Sequence, residues 1–118
     1  MKPGDKAKRV RIYISSTDKY EHSPLYEVIV YTAREIGVAG ATVLRGIMGY
    51  GSSSEVYTSK LWEISEKVPL VVDIVDEPEK INAFLEILKP IIDKSGKGHI
   101  ITEEETTVLM HRTGVKTE

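Results

Sequence analysis

Residues 9–15 alternate, with Val10, Ile12 and Ile14 set between Arg11, Tyr13 and Ser15. This period of two predicts a first strand that buries one face. Ser23-Pro24 then supplies a hydroxyl cap and a proline suited to a first helical turn. Leu25, Val28, Ile29, Ala33 and Ile36 recur at three- and four-residue spacing, which predicts a helix over residues 24–36 that ends at Gly37. Residues 41–48 are β-branched and apolar enough for a second strand, and they run into Gly49-Tyr50-Gly51. Residues 52–68 are polar, begin with three serines and carry scattered apolar residues, so they read as a long connection with room for one short turn of helix or strand.

Pro69 opens Leu70-Val71-Val72-Asp73-Ile74-Val75, whose apolar character on both faces predicts a central third strand. Asp76-Glu77-Pro78-Glu79 has the acids and proline of a helix start. Ile81, Phe84, Leu85, Leu88 and Ile91 or Ile92 carry that helix onward, with a bend expected at Pro90. Ser95-Gly96-Lys97-Gly98 ends it. A fourth strand is expected at residues 99–101, and Glu103-Glu104-Glu105 is expected to separate it from a short extra strand over 106–110.

The order βαββαβ with right-handed crossovers defines an α+β, ferredoxin-like sandwich. It has a four-stranded antiparallel sheet, both helices on one face and the first and third strands at its centre. The other sheet face has no helix. Val71, Asp73, Val75 and Tyr13 fall on that face, which is therefore partly apolar, and leaving it wet exposes a patch larger than most monomers tolerate. Burial against other copies would gain roughly 25 cal/mol per Å² of apolar area, so self-association is expected; the alternative is that the long connection folds over this face.

The 118 residues are expected to form a single domain, with residues 1–8 as a flexible N-terminus. A net charge of −2 gives no positive field for nucleic acid or an anionic membrane. The absence of cysteine removes disulfides, thiolate nucleophiles and cysteine-ligated metals. With no apolar leader and no run long enough to span a bilayer, the expected compartment is the cytoplasm.

Two turns carry the candidate chemistry. Arg45, Gly46, Gly49, Tyr50, Gly51 and Ser52 gather glycines and a hydroxyl at a strand end, where bare backbone can approach an anion. The run matches neither a Walker loop nor a dinucleotide fingerprint, and taken alone it reads as a structural bulge or hairpin opening before it reads as a site. Gly96, Lys97, Gly98 and His99 offer amides beside a cation, although a helix stop followed by a strand start also accounts for them. Each turn alone favours that structural reading, and the presence of two on one small domain adds weight to a ligand held between them. His22, His99 and His111 are too scattered for a metal-ligand pattern, and no triad or paired-carboxylate arrangement is evident. Tyr57 and Trp62 serve as packing or partner anchors in the long connection.

Gly40-Ala41-Thr42-Val43-Leu44-Arg45-Gly46-Ile47-Met48-Gly49-Tyr50-Gly51, followed by Leu61-Trp62-Glu63-Ile64-Ser65 and Pro69-Leu70-Val71-Val72, resembles the uncharacterised PII-like family called domain of unknown function 190. The resemblance covers residues 10–110. It implies a homotrimer similar to the nitrogen-regulatory PII proteins, with ligand clefts between subunits and residues 52–68 as a T-loop-like connection. In PII proteins a Gly-Phe-Gly and a Gly-Asp-Gly-Lys turn hold the phosphates of ATP or ADP; Gly49-Tyr50-Gly51 and Gly96-Lys97-Gly98-His99 occupy the similar positions. Two departures bear on which nucleotide binds. Ser52-Ser53-Ser54 replaces the basic residues after Gly-Phe-Gly, and His99 stands where PII has a phosphate-binding lysine. Tyr57 does not match the tyrosine that PII proteins have uridylylated.

The expected function is that of a regulatory, non-enzymatic trimer. It binds a small anionic ligand such as ATP, ADP or AMP and acts on a protein or transporter target. A copper-tolerance-like metal-binding trimer is the first alternative. A small acylphosphatase-type enzyme is the second, with Arg45 in a strand and Asn82 in a helix as the residues it would need elsewhere.

Overall fold

The computed structural model describes residues 1–51, 57–58, 67–96 and 98–115. Ser52, Trp62, Lys97 and most of the 52–68 connection therefore lie outside the described residues. The elements run β1 (Lys6–Ser15), β2 (Lys19–Tyr20), β3 (Ser23–Pro24), α1 (Leu25–Ile36), β4 (Gly40–Arg45), β5 (Met48–Gly49), β6 (Tyr57–Thr58), β7 (Pro69–Asp76), α2 (Pro78–Ser95) and β8 (Ile100–Thr107). The main sheet has the order β4-β7-β1-β8 and every pair in it is antiparallel. This is the expected α+β ferredoxin-like arrangement, with the apolar β7 and the alternating β1 in its centre.

Alternation fixes which side chains meet the helices. Val10, Ile12 and Ile14 of β1 and Leu70, Val72 and Ile74 of β7 are buried, together with Leu25 and Ile29 of α1 and Ile81, Phe84 and Leu88 of α2. The buried acid Asp76 accepts hydrogen bonds from the Ala39 N–H at 3.0 Å and the Glu77 N–H at 2.7 Å, so the turns at that end of the sheet are stitched to one carboxylate. Gly37 ends α1 with φ of 91°, and its N–H reaches the Ala33 carbonyl. That left-handed residue is one a side chain would strain.

The structure corrects four expectations. Ser23 does not cap α1; Pro24 takes the N-cap position and no side chain makes the capping bond. The second main strand stops at Arg45, and Met48–Gly49 instead pairs with Tyr57–Thr58 in a separate small ladder. Strand β1 begins at Lys6, so residues 6–8 of the stretch read as a flexible N-terminus belong to the sheet. Lastly, Glu103, Glu104 and Glu105 do not separate two short strands. They lie inside β8, opposite Val10, Arg9 and Lys8 respectively. Glu has weak β propensity, but here the basic run of β1 supplies cross-strand partners that override it.

The registers also define rows across the sheet, on the face without helices. Leu44, Val71, Tyr13 and Ile100 stand side by side; next come Thr42, Asp73, Arg11 and Thr102; then Gly40, Val75, Arg9 and Glu104. This face is banded, with an apolar row at one end of the strands and charge in the rows behind it.

Candidate functional site

The apolar row marks the end of the sheet that carries both candidate turns. Past Arg45, the Gly46 N–H donates to the Pro69 carbonyl at 2.8 Å. A Cβ at Gly46 would stand 2.8 Å from Pro69 Cγ and 3.3 Å from Pro69 O, so this glycine lets the chain cross the proline that opens β7. Gly49 needs no such allowance, since its Cβ would meet Pro69 at an ordinary 3.5 Å, and a Cβ on Gly51 would meet nothing within 4 Å. The absence of side chains at Gly49 and Gly51 is therefore not explained by packing among the described residues. Ile47, Met48 and Tyr50 project between these glycines, Ile47 with 80% and Tyr50 with 70% of its surface exposed.

The second turn follows α2. Gly96 takes φ of 71° and donates to the Asp93 carbonyl, which ends the helix. Near the end of α2, Lys94 Nζ lies 3.1 Å from Glu21 Oε1 and 5.5 Å from the centre of the Tyr20 ring. The hydrogen bond to Glu21 raises the Lys94 pKa, with the charges of Glu21 and Tyr20 adding to it. Gly98 is exposed. The His99 side chain is only 4% exposed, with Nε2 3.8 Å from Oδ2 of the buried Asp18. The same Asp18 oxygen accepts the Ser15 N–H at 3.0 Å. The His99 imidazole is thus turned into the protein beside the end of β1.

Arg45 ends one edge strand with Gly46, Gly49, Tyr50 and Gly51 beyond it, and Gly96, Gly98 and His99 precede the other. Leu44 and Ile100 end the same row, so the two turns share one level of the sheet. Three strand spacings separate those edges, roughly 14 Å. The two turns of one copy therefore stand at opposite edges of its sheet.

Charge is concentrated one and two rows further in. Arg9 Nε lies 3.0 Å from each carboxylate oxygen of Asp73 and its Nη2 bonds Oδ2 as well. Arg11 Nε is 3.7 Å from the same carboxylate, and Glu104 lies 3.8 Å from Arg9 and 3.9 Å from Arg11. The hydrogen bond from Arg9 holds the Asp73 carboxyl below its ordinary range against the opposing effect of burial, and the same bond raises Arg9. A groove of about 630 Å³ borders Arg9 and Asp73 of this cluster, between Thr42 and Val75 on the sheet and Val108 to His111 of the C-terminal segment. Sequence reading missed the cluster. Its signal was the basic run Lys6 to Arg11 matched by Glu103 to Glu105, which becomes legible only when β1 is paired with β8.

Among the described residues, no group of three or more His, Asp or Glu is close enough to hold a metal ion. Asn82 is engaged by Lys8 Nζ at 2.9 Å. No helix among them is long and apolar enough to cross a membrane.

The fold is that of PII-like proteins. A structure of CPII, a nitrogen regulatory PII-like protein from Thiomonas intermedia K12 bound to ADP, AMP and bicarbonate, superposes with a TM-score of 0.68 at 17% identity, over 90% of this chain and 91% of that one. The chain belongs to the DUF190 family, described as Uncharacterized ACR, whose model matches residues 7–108. It is 40% identical over 105 residues to a UPF0166 protein of Aquifex aeolicus, covering 88% of this chain and 94% of that protein. A UPF0166 protein of Methanocaldococcus jannaschii is 35% identical over 91 residues, covering 77% and 83% respectively.

Proposed function

We propose that this chain is a single-domain, cytoplasmic, PII-like regulatory protein without enzymatic activity. It works as a homotrimer and binds a small anionic ligand, an adenine nucleotide, in the seams between copies. The observation that carries this reading is the position of the two glycine turns, at one level of the sheet but on opposite edges. A ligand that needs both turns is served by one edge from each of two neighbouring copies. Gly49 and Gly51 carry no side chain on one side of such a seam, and Gly98, preceded in the sequence by Lys97, offers an amide beside a cation on the other. The apolar row Leu44, Val71, Tyr13 and Ile100 gives the copies a reason to associate. The nucleotides bound to CPII support the choice of ligand, and the regulated target is a protein or a transporter.

Isothermal titration with ATP, ADP, AMP and cyclic nucleotides tests the proposal. Saturable heat with at least one nucleotide, near one site per copy, is expected, and it should be lost when Lys97→Ala and Gly51→Val are combined. Absence of heat with all of them overturns the nucleotide reading.

A further inference from the structure

His99 and Asp18 form a buried ionisable pair that the ligand site proposed above does not use. The His99 side chain is 4% exposed, and its Nε2 lies 3.8 Å from Oδ2 of Asp18, itself 6% exposed. That separation is longer than a hydrogen bond. A neutral imidazole gains little across it, whereas an imidazolium beside a carboxylate in a dry site is drawn into a charge-assisted bond about 1 Å shorter. The two protonation states of His99 therefore favour two separations of the segments that carry the pair.

Those segments lead to different parts of the molecule. His99 stands between the turn that carries Gly96 and Gly98 and the first residue of β8. Asp18 binds the ends of two elements: its Oδ2 accepts the Ser15 N–H at the end of β1 at 3.0 Å, and its carbonyl accepts the N–H of Leu25, the first residue of α1, at 2.8 Å. In the same turn the Ser16 N–H donates to the Val68 carbonyl at 2.9 Å, and Ser16 Oγ accepts the Val68 N–H at 3.0 Å. Val68 is buried where the long connection meets β7. A chain of contacts thus runs from the glycine turn, through His99 and Asp18, to the residue that precedes the central strand.

The other charges on the surrounding segments lie at the surface. Lys19 and Glu21 after Asp18, and Asp93 and Lys94 at the end of α2, are exposed, and Lys94 closes on Glu21 and on the half-buried Tyr20. Lys67 is half-buried beside Val68. Among these groups Asp18 is the buried carboxylate that the ring meets.

We propose that His99 and Asp18 are a proton-operated clasp: protonation of His99 draws the glycine turn and the turn over residues 15–18 together, and loss of the proton releases them. The proton is thereby a second effector, acting on the ligand turn and on Val68. Its effect on ligand affinity rests on the ligand reading proposed above; the clasp itself does not. An anionic ligand at the Gly98 amide favours the imidazolium as Asp18 does, so its affinity falls as pH rises through the His99 titration.

NMR of the full chain from about pH 5 to pH 8, following histidine rings and backbone amides, tests the clasp, with the exposed His22 as internal reference. In the unsubstituted chain the amides of Asp18, Val68 and Gly98 are expected to shift with the His99 midpoint and not with that of His22. Asp18→Asn keeps the size of the side chain and an acceptor for the Ser15 N–H, and it should lower the His99 midpoint by about one unit, a tenfold loss of proton affinity. A His99 midpoint unmoved by Asp18→Asn, or a Val68 amide that ignores His99, overturns the clasp. The second of these is read on the unsubstituted chain and decides the matter even where the variant does not fold. Calorimetry with ADP on the native chain and on His99→Gln reads the ligand effect. A several-fold greater fall in affinity with rising pH is expected for the native chain, and equal falls overturn the coupling to ligand. No heat at any pH overturns the ligand reading, with the clasp still decided by the spectra.

Discussion

The two faces of the sheet are built from the same strands under different rules. Toward the helices, every second residue of β1 and β7 along most of their length is apolar and dry, and nothing charged interrupts Val10, Ile12, Ile14, Leu70, Val72 and Ile74. On the other face the order runs across the strands: one apolar row, then Asp73 and Arg11, then Arg9 and Glu104. The covered face is specified along the chain and holds the fold. The open face is specified between chain segments, and its pattern suits contact with another surface: an apolar band for affinity beside charges that penalise wrong registers.

Substitutions on the two faces should separate these roles. The largest effect belongs to the covered face: Phe84→Ala empties the space of a fully buried ring and should cost about 3–5 kcal/mol in urea unfolding. Gly46→Ala follows. Its methyl meets both the ring and the carbonyl of Pro69, and overpacking of this kind costs about 1–3 kcal/mol, read from the same curves. Leu44→Glu on the open face should reduce the mass in light scattering from an assembly to one copy while the circular dichroism of the chain is kept. If Leu44→Glu unfolds the chain as Phe84→Ala does, the division of roles fails.

Smaller effects belong to the charges. The Asp73 carboxyl is held below its ordinary range by Arg9, so its contribution to stability is complete above the usual carboxylate pKa and is lost as pH falls through the depressed one. Asp73→Asn should lower the thermal midpoint at neutral pH and flatten that acid limb; an unchanged acid limb would remove the ionic row from the account. Smallest of all is Lys94→Met, because that cation is exposed and its pair with Glu21 is screened by solvent. Its thermal midpoint should match that of the unsubstituted chain.

Much of the fold was legible because it depends on period. Alternation marked β1, three- and four-residue spacing marked both helices, and the apolar run after Pro69 marked a central strand. Period fails where pairing decides. Glu103 to Glu105 read as a polar break, since nothing local shows that Lys6, Lys8, Arg9 and Arg11 lie opposite β8. The second strand read as too long because apolar residues continue on both sides of Arg45 and Gly46, from Ala41 to Met48, while the chain in fact turns over Pro69 at Gly46. The site was half legible. Glycines at 49, 51, 96 and 98 flagged two turns, but their common level on opposite edges follows from the order β4-β7-β1-β8, and the burial of His99 against Asp18 follows from the end of β1.

Sedimentation equilibrium across a hundredfold dilution, with and without adenine nucleotide, tests most directly whether the edges of neighbouring copies complete one another. The account predicts the mass of three chains at the upper concentrations, and a trimer that resists dilution further when nucleotide is present. A folded species with the mass of one chain throughout, unchanged by any nucleotide, would contradict it.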